Sequence, residues 1–287
     1  PAALAGCPKV VLCSPPNKSG EIEPAILHAA KKAGVHRVFK VGGAQAIAAM
    51  AAGTGTIPKV DKIFGPGNRY VTAAKSLVSQ HPLNVPVDML AGPTELLIIA
   101  DETANPCWVA ADLLAQAEHG EDSRVVLVTT HIQTADAVDR ECELQLLTLP
   151  RREIIRKVLD ASTTVIVRSL TDAIEFSDRY APEHLGLAVK DGEALVPKIR
   201  NAGAVFVGTM SSPVFGDYAS GPNHTLPTGG TAVATGGVTV ECFMKPVFIQ
   251  TIRPEGVSSL STTVATLARA ENLDGHARAA EIRVGRP

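Results

Sequence analysis

The 287-residue chain is 45% hydrophobic but only 4% aromatic, enough for one large core or two ordinary ones, built mainly from Ala, Val, Leu and Gly. A formal net charge of −2 gives no electrostatic reason to expect nucleic acid or an anionic membrane as partner. Five cysteines (Cys7, Cys13, Cys107, Cys142, Cys242) without a CxxC pair argue against a disulfide framework and for a reducing, cytoplasmic compartment, and no apolar run reaches the ~18 residues of a membrane-spanning helix.

The first apolar run, 10–13, ends in the turn signal Ser14-Pro15-Pro16-Asn17. Ile22, Ile26, Leu27 and Ala30 then follow a helical period that stops at Gly34. A strand is expected at 38–41, ending in Gly42-Gly43, and a small-residue helix at 44–52. Ile63-Phe64 reads as a short strand before the turn Gly65-Pro66-Gly67-Asn68 and a helix through Val78. A second unit begins near Gly92-Pro93. It alternates strands at 96–100, 125–129, 163–167, 185–189 and 204–207 with helices from Asn105-Pro106 to about Gly120, at 134–147, 151–159 and 171–180, and up to Arg200. Residues 208–240 lose this rhythm and are rich in Gly, Pro, Thr and Ser, as a functional loop region is. Helix returns at 258–283.

Strand–helix alternation with Gly at strand ends predicts an α/β fold of two Rossmann-like, doubly wound units plus a C-terminal helical tail. The expected division is 1–93, 94–240 and 241–287: a dinucleotide-binding unit, a catalytic unit, and the tail.

Four segments could carry chemistry. In Asp112-Leu113-Leu114-Ala115-Gln116-Ala117-Glu118-His119-Gly120, Gln116 and His119 are three apart and would share a helix face, offering a carbonyl oxygen and an imidazole to a divalent metal. By itself this is weak, because polar residues at a helix C-terminus are usually solvated and His there also suits the helix dipole. In Tyr180-Ala181-Pro182-Glu183-His184-Leu185, a carboxylate and an imidazole stand side by side between a helix stop and a strand, as general acid–base work requires; an ordinary loop has the same composition. In Gly216-Asp217-Tyr218-Ala219-Ser220-Gly221-Pro222-Asn223-His224, Asp217 is a candidate hard ligand and His224 a supporting group, although Asp and Asn also simply close turns. His276, between Gly275 and Ala277 in the tail, carries little weight alone. HExxH, a P-loop, GxSxG and GxGxxG are all absent. Residue reasoning reaches an α/β enzyme, metal-assisted or not.

Taken together, GGAQA at 42–46, DKIFGPGN at 61–68, DMLAGPTE at 88–95, DLLAQAEHG at 112–120, APEHL at 181–185, GDYASGPNHTLPT at 216–228 and TLARAENLDGHA at 266–277 resemble the histidinol dehydrogenase family, in order and along essentially the whole chain. The resemblance implies a two-step, four-electron oxidation of L-histidinol through the aldehyde to L-histidine, at the end of histidine biosynthesis, with two NAD reduced. It implies one Zn²⁺ per site, held by Gln116, His119, Asp217 and His276. By the same carry-over His184 is the general base and Glu183 activates water at the aldehyde stage. Thr94 and Glu271 join His184 and the metal ligands in holding substrate, and Gln45 and Asn68 contact the dinucleotide. The family is a homodimer in which the tail reaches the partner's site, so Glu271 and His276 would act in trans.

Two departures stand out. Thr94 occupies a position where the family usually has Ser, which keeps the hydroxyl and adds a methyl. The family also carries a substantial N-terminal portion ahead of the block matching Pro1, contributing strands to the second unit and a cofactor contact, so a partial sequence is expected. The competing expectations are a homologous zinc/NAD dehydrogenase acting on another small alcohol, and a non-catalytic α/β binding protein; the second leaves Gln116, His119, Glu183, His184, Asp217 and His276 without a role.

Overall fold

The computed structural model describes residues 1–80, 82–90 and 92–285; Ala91 of the DMLAGPTE block therefore lies outside the described residues. The chain forms two compact units, Pro1–Met244 and Lys245–Pro287. As expected, the fold is α/β with parallel sheets.

The larger sheet has five strands, β3 (Glu95–Ala100), β4 (Arg124–Thr129), β5 (Thr163–Ile166), β6 (His184–Ala188) and β7 (Ala204–Val207). Their spatial order is β5-β4-β3-β6-β7, all parallel. The chain starts in the middle, winds outward to β5, then crosses to β6 and winds the other way, as a doubly wound sheet does. Every residue of β3 is buried, which is why Leu96-Leu97-Ile98-Ile99 is an unbroken apolar run rather than an alternating one. Its side chains still divide by face. Leu96 and Ile98 join Val125 and Leu127 against α4 (Pro106–Ala117), α5 (Ile132–Leu146) and α6 (Arg152–Asp160). Leu97 and Ile99 join Val126, Val128, Leu185 and Leu187 against α7 (Leu170–Tyr180).

Residues before β3 form a smaller layer. The strands β1 (Val11–Ser14) and β2 (Arg37–Lys40) pair in parallel, joined by α1 (Pro24–Lys32) and followed by α2 (Gly43–Ala52) and α3 (Arg69–Val78). Ile47, Ala51, Ile63, Val78 and Val85 make its apolar centre. The strand expected at Ile63-Phe64 is a single parallel bridge, Ile63 to Val87, because Gly65 and Pro66 follow at once.

Other expectations are corrected. The helix expected up to Arg200 is one turn, α8 (Gly192–Leu195), plus a 3₁₀ turn at Val196–Lys198, since Pro197 removes a helix donor. The 208–240 stretch contains a helix, α9 (Pro213–Tyr218), too short for periodicity to reveal. The tail is helical as expected, in two helices, α10 (Pro254–Ala270) and α11 (Asp274–Glu281). Asn272 sits at φ +60° and Leu273 N–H returns to the Ala268 carbonyl at 2.8 Å, a Schellman ending that turns the chain. The hairpin closes over Ala265, Ala268 and Ala277, and Arg269 forks onto the Glu281 carboxylate at 2.9 and 2.8 Å.

Candidate active site

In a parallel sheet each helix runs back to the amino ends of the strands. Residues that open β3 and β6 therefore meet residues that close α4. Thr94 immediately precedes β3, Glu183 immediately precedes β6, and His184 is the first residue of β6, in register with Leu96. Ala181 ends α7 in the left-handed conformation at φ 52°, fully buried, and Pro182 forbids continuation, so the chain turns sharply into Glu183 and His184. Gln116 lies in the last turn of α4, and Asp217 in the last turn of α9.

A chain of hydrogen bonds fixes the roles of individual atoms. The Thr94 hydroxyl donates to Glu183 Oε2 at 2.6 Å, so its oxygen is left to accept from Gln116 Nε2. That orients the Gln116 amide and leaves its carbonyl oxygen on the arm away from Thr94. Glu183 Oε2 also accepts the Glu95 N–H at 2.9 Å. A carbonyl can only accept, so His184 Nδ1 carries the hydrogen it gives to the Glu95 carbonyl at 2.9 Å. Nε2 is then the basic nitrogen. It is buried without a hydrogen-bond partner and faces Asp217 Oδ1 at 3.7 Å, a charge contact longer than a hydrogen bond. The Phe206 ring lies against the imidazole, with centroids 5.8 Å apart.

These contacts shift titrations. Burial alone would depress the His184 pKa, but the Asp217 carboxylate, Glu183 and the Glu95 carbonyl outweigh it and the value is raised. Asp217 is held below the usual carboxylate range, first by His184, against burial, and further by His119 and His224, which places both imidazoles within electrostatic reach of this carboxylate. Glu95 is pushed up, chiefly by burial and also by the neighbouring Glu183 charge, although backbone N–H groups of Gly229 and Glu183 partly offset this.

A family model for histidinol dehydrogenase matches residues 1–284. The chain belongs to the histidinol dehydrogenase family. It is 51% identical over 284 residues to histidinol dehydrogenase of Bacteroides fragilis, covering 99% of this chain and 66% of that protein. It is 50% identical to the chloroplastic enzyme of Arabidopsis thaliana, covering 99% and 61%. The crystal structure of histidinol dehydrogenase from Elizabethkingia anophelis superposes with a TM-score of 0.95 at 47% identity, over 99% of this chain and 65% of that one. The chain thus spans just under two thirds of the length of these family members.

Within Pro1–Met244 the structure brings together Thr94, Gln116, Glu183, His184 and Asp217, with His119 and His224 nearby. Gln116 and His119 do not share a helix face as expected. The helix ends at Ala117, and His119 lies beyond it, exposed. Glu271 and His276 lie in the second unit, both exposed, at the end of α10 and the first turn of α11. Gln45 stands exposed in the first turn of α2, a helix whose N-terminus has no side-chain cap. Asn68 caps α3, accepting from Tyr70 and Val71 N–H at 3.0 and 3.2 Å. Residue reasoning missed Glu95 and Phe206, whose places beside His184 come from strand register, and the buried pair Lys75–Asp88. The Lys75 ammonium also donates to the carbonyls of Gly65 and Met89, both at 2.8 Å, while Asp88 Oδ2 accepts the Gly65 N–H at 2.8 Å.

Among the described residues no group of three or more His, Cys, Asp and Glu is arranged to hold a metal. The donors in this part of the structure are nevertheless of the kind a divalent cation takes: the carbonyl oxygen of Gln116, the carboxylate of Asp217 and the imidazole of His119, which acts on Asp217 electrostatically. The last turns of α4 and α9 add the negative ends of two helices. The site fits a cation in chemistry, with three donors where tetrahedral zinc requires four.

Proposed function

We propose that the chain is the catalytic portion of a zinc-dependent, NAD-linked histidinol dehydrogenase, oxidising L-histidinol through the aldehyde to L-histidine in histidine biosynthesis. The observation that carries this reading is the His184 imidazole. Its Nδ1–H is given to the Glu95 carbonyl, and its basic Nε2 is buried and unpartnered beside Asp217. An acid–base group so placed has a free lone pair in a dry site, ready for a substrate hydroxyl.

In this reading His184 Nε2 takes the hydroxyl proton while the carbinol carbon gives a hydride to NAD⁺. Glu183, held by Thr94 and the Glu95 N–H, then takes a proton from water as it adds to the aldehyde carbon. His184 returns its proton to the aldehyde oxygen to give the neutral hydrate, then takes a hydrate hydroxyl proton as the carbon gives a second hydride to a second NAD⁺, and the acid so formed releases its last proton to water as the carboxylate. Gln116, His119 and Asp217, with His276 as fourth donor, would hold Zn²⁺, which when bound orients the substrate's imidazole and amine and takes no part in electron transfer. Thr94 and Glu271 complete the substrate's surroundings, and Gln45 and Asn68 contact the dinucleotide at the N-termini of α2 and α3, where peptide dipoles favour phosphate. The homodimer arrangement, with Glu271 and His276 supplied by the tail of a second copy, and the cytoplasmic location belong to the same proposal.

Metal dependence tests it. Dialysis against a strong chelator is expected to abolish histidinol-dependent NADH formation, read at its absorbance band, and added Zn²⁺ to restore it. Undiminished turnover in protein shown metal-free by elemental analysis contradicts the reading.

A further inference from the structure

We infer that the hydrogen bond between Asp112 and Ser212 is a brace that sets the spacing of Gln116 and Asp217, and so tunes the site's affinity for a divalent cation; this rests on the cation reading above. Ser212 Oγ donates to Asp112 Oδ1 at 2.5 Å, across 100 residues of sequence. Asp112 and Gln116 are four apart on α4, hence on one face and about 6 Å apart along its axis. Ser212 is the N-cap residue of α9, and Asp217 lies in that helix's last turn. On both helices, which pack together, the candidate ligand stands roughly one turn C-terminal to the residue that is hydrogen-bonded.

Three observations assign this bond to positioning. First, a Ser at an N-cap ordinarily turns its oxygen onto its own helix's N–H groups, but Ser212 makes no such cap. Its hydroxyl is directed across to the neighbouring helix instead. Second, α9 has six residues, far short of the length at which a helix holds itself together in water. Its position must come from tertiary contacts. They include the Ser212 bond at one end and, further on, Gly216, where an added Cβ would meet Phe206 Cε1 at 2.7 Å. Third, the Asp112 carboxyl is removed from water enough for burial to raise its pKa, with the Ser212 hydroxyl as the group that opposes the rise. Neither residue lies in the chain of contacts joining Gln116, Thr94, Glu183 and His184. Metal coordination tolerates only about 0.2 Å of error in ligand distance, so the separation of α4 and α9 matters to it.

Titration with Zn²⁺ alone, in competition with a chromophoric chelator, tests the brace in the full chain. Ser212→Ala is expected to weaken Zn²⁺ binding about tenfold, the low end of the cost of losing a ligand-orienting partner. Asp112→Leu, which keeps bulk and removes the acceptor, must weaken it to the same degree. Ser212→Thr keeps the donor and Asp112→Asn keeps an acceptor oxygen, so both retain parental affinity; a merely structural loss would not be rescued in this atom-specific way. If Ser212→Ala and Asp112→Leu bind as tightly as the parent while Gln116→Ala and Asp217→Ala bind weakly, the brace is wrong and the cation reading stands. If Gln116→Ala and Asp217→Ala also bind as the parent does, the cation reading falls and the brace falls with it.

Discussion

The two nitrogens of His184 stand in different electrical surroundings. One is committed to the Glu95 carbonyl; the other is basic, buried and beside a carboxylate. Removing the ring should therefore remove proton transfer with little effect on folding. His184→Ala is expected to lower turnover by about 10²–10⁴, the usual worth of a positioned general base. Near-full turnover in a correctly folded variant, checked by circular dichroism, would remove His184 from the mechanism. Gly203 offers a different residue-level test. Its N–H bonds the Pro182 carbonyl at 2.9 Å, and an added Cβ would meet the Glu183 carbonyl oxygen at 2.6 Å. Backbone cannot swing aside as a side-chain tip can. Gly203→Ala should push the Glu183–His184 turn away from Thr94, destabilising by about 1–3 kcal/mol as overpacking does, with activity falling further than stability. Parental melting and turnover together would contradict this packing.

At the scale of elements, Lys75 ties three pieces of the smaller layer together: α3, the Gly65 turn and the segment through Met89 that leads to β3. Both charges are almost wholly buried, so removing one leaves the other stranded. Lys75→Met should cost about 3–5 kcal/mol, and Lys75→Met with Asp88→Leu should recover a substantial part of it, because an apolar pair no longer buries a lone charge. Urea denaturation of the parent and the two variants measures this, and a double variant no better than the single would mean that Asp88 is stabilised by other partners. Elements also bear on the proposed cation site. Ligands of doubly wound sheets usually lie at the carboxyl ends of strands, where helix N-termini attract phosphate. Here the clustered side chains open β3 and β6 and close α4 and α9, at the edge where helix dipoles present their negative ends.

For the whole molecule, the proposed fourth metal donor comes from the tail of a second copy, and Glu271 and His276 are exposed on a hairpin whose buried apolar seam, among the described residues, is Ala265, Ala268 and Ala277. If tails exchange between copies, Asp217→Ala and His276→Ala damage different contributions to one site. Each alone should be inactive. Unfolding and refolding the two together should restore part of the turnover, through assemblies that pair an intact body with an intact tail. A mixture no more active than its components would place each tail on its own body or remove it from the site.

The order of apolar runs and turn residues was sufficient to specify the parallel α/β architecture, because strands buried on both faces must be continuously apolar and their helices must return. It offered Gln116, Glu183, His184 and Asp217 only as candidates, each with a turn, loop or helix-end explanation beside it, and their assignment as a set came from the resemblance of seven ordered blocks to one family. Other features depended on contacts between segments far apart in the chain. Glu95 and Phe206 stand beside His184 because β3 and β7 flank β6 in register, and the six-residue α9 packs against Asp112 and Phe206 from distant parts of the chain. Local periodicity cannot encode either, because six residues are too few to display a period and a register is a relation between strands rather than a property of one.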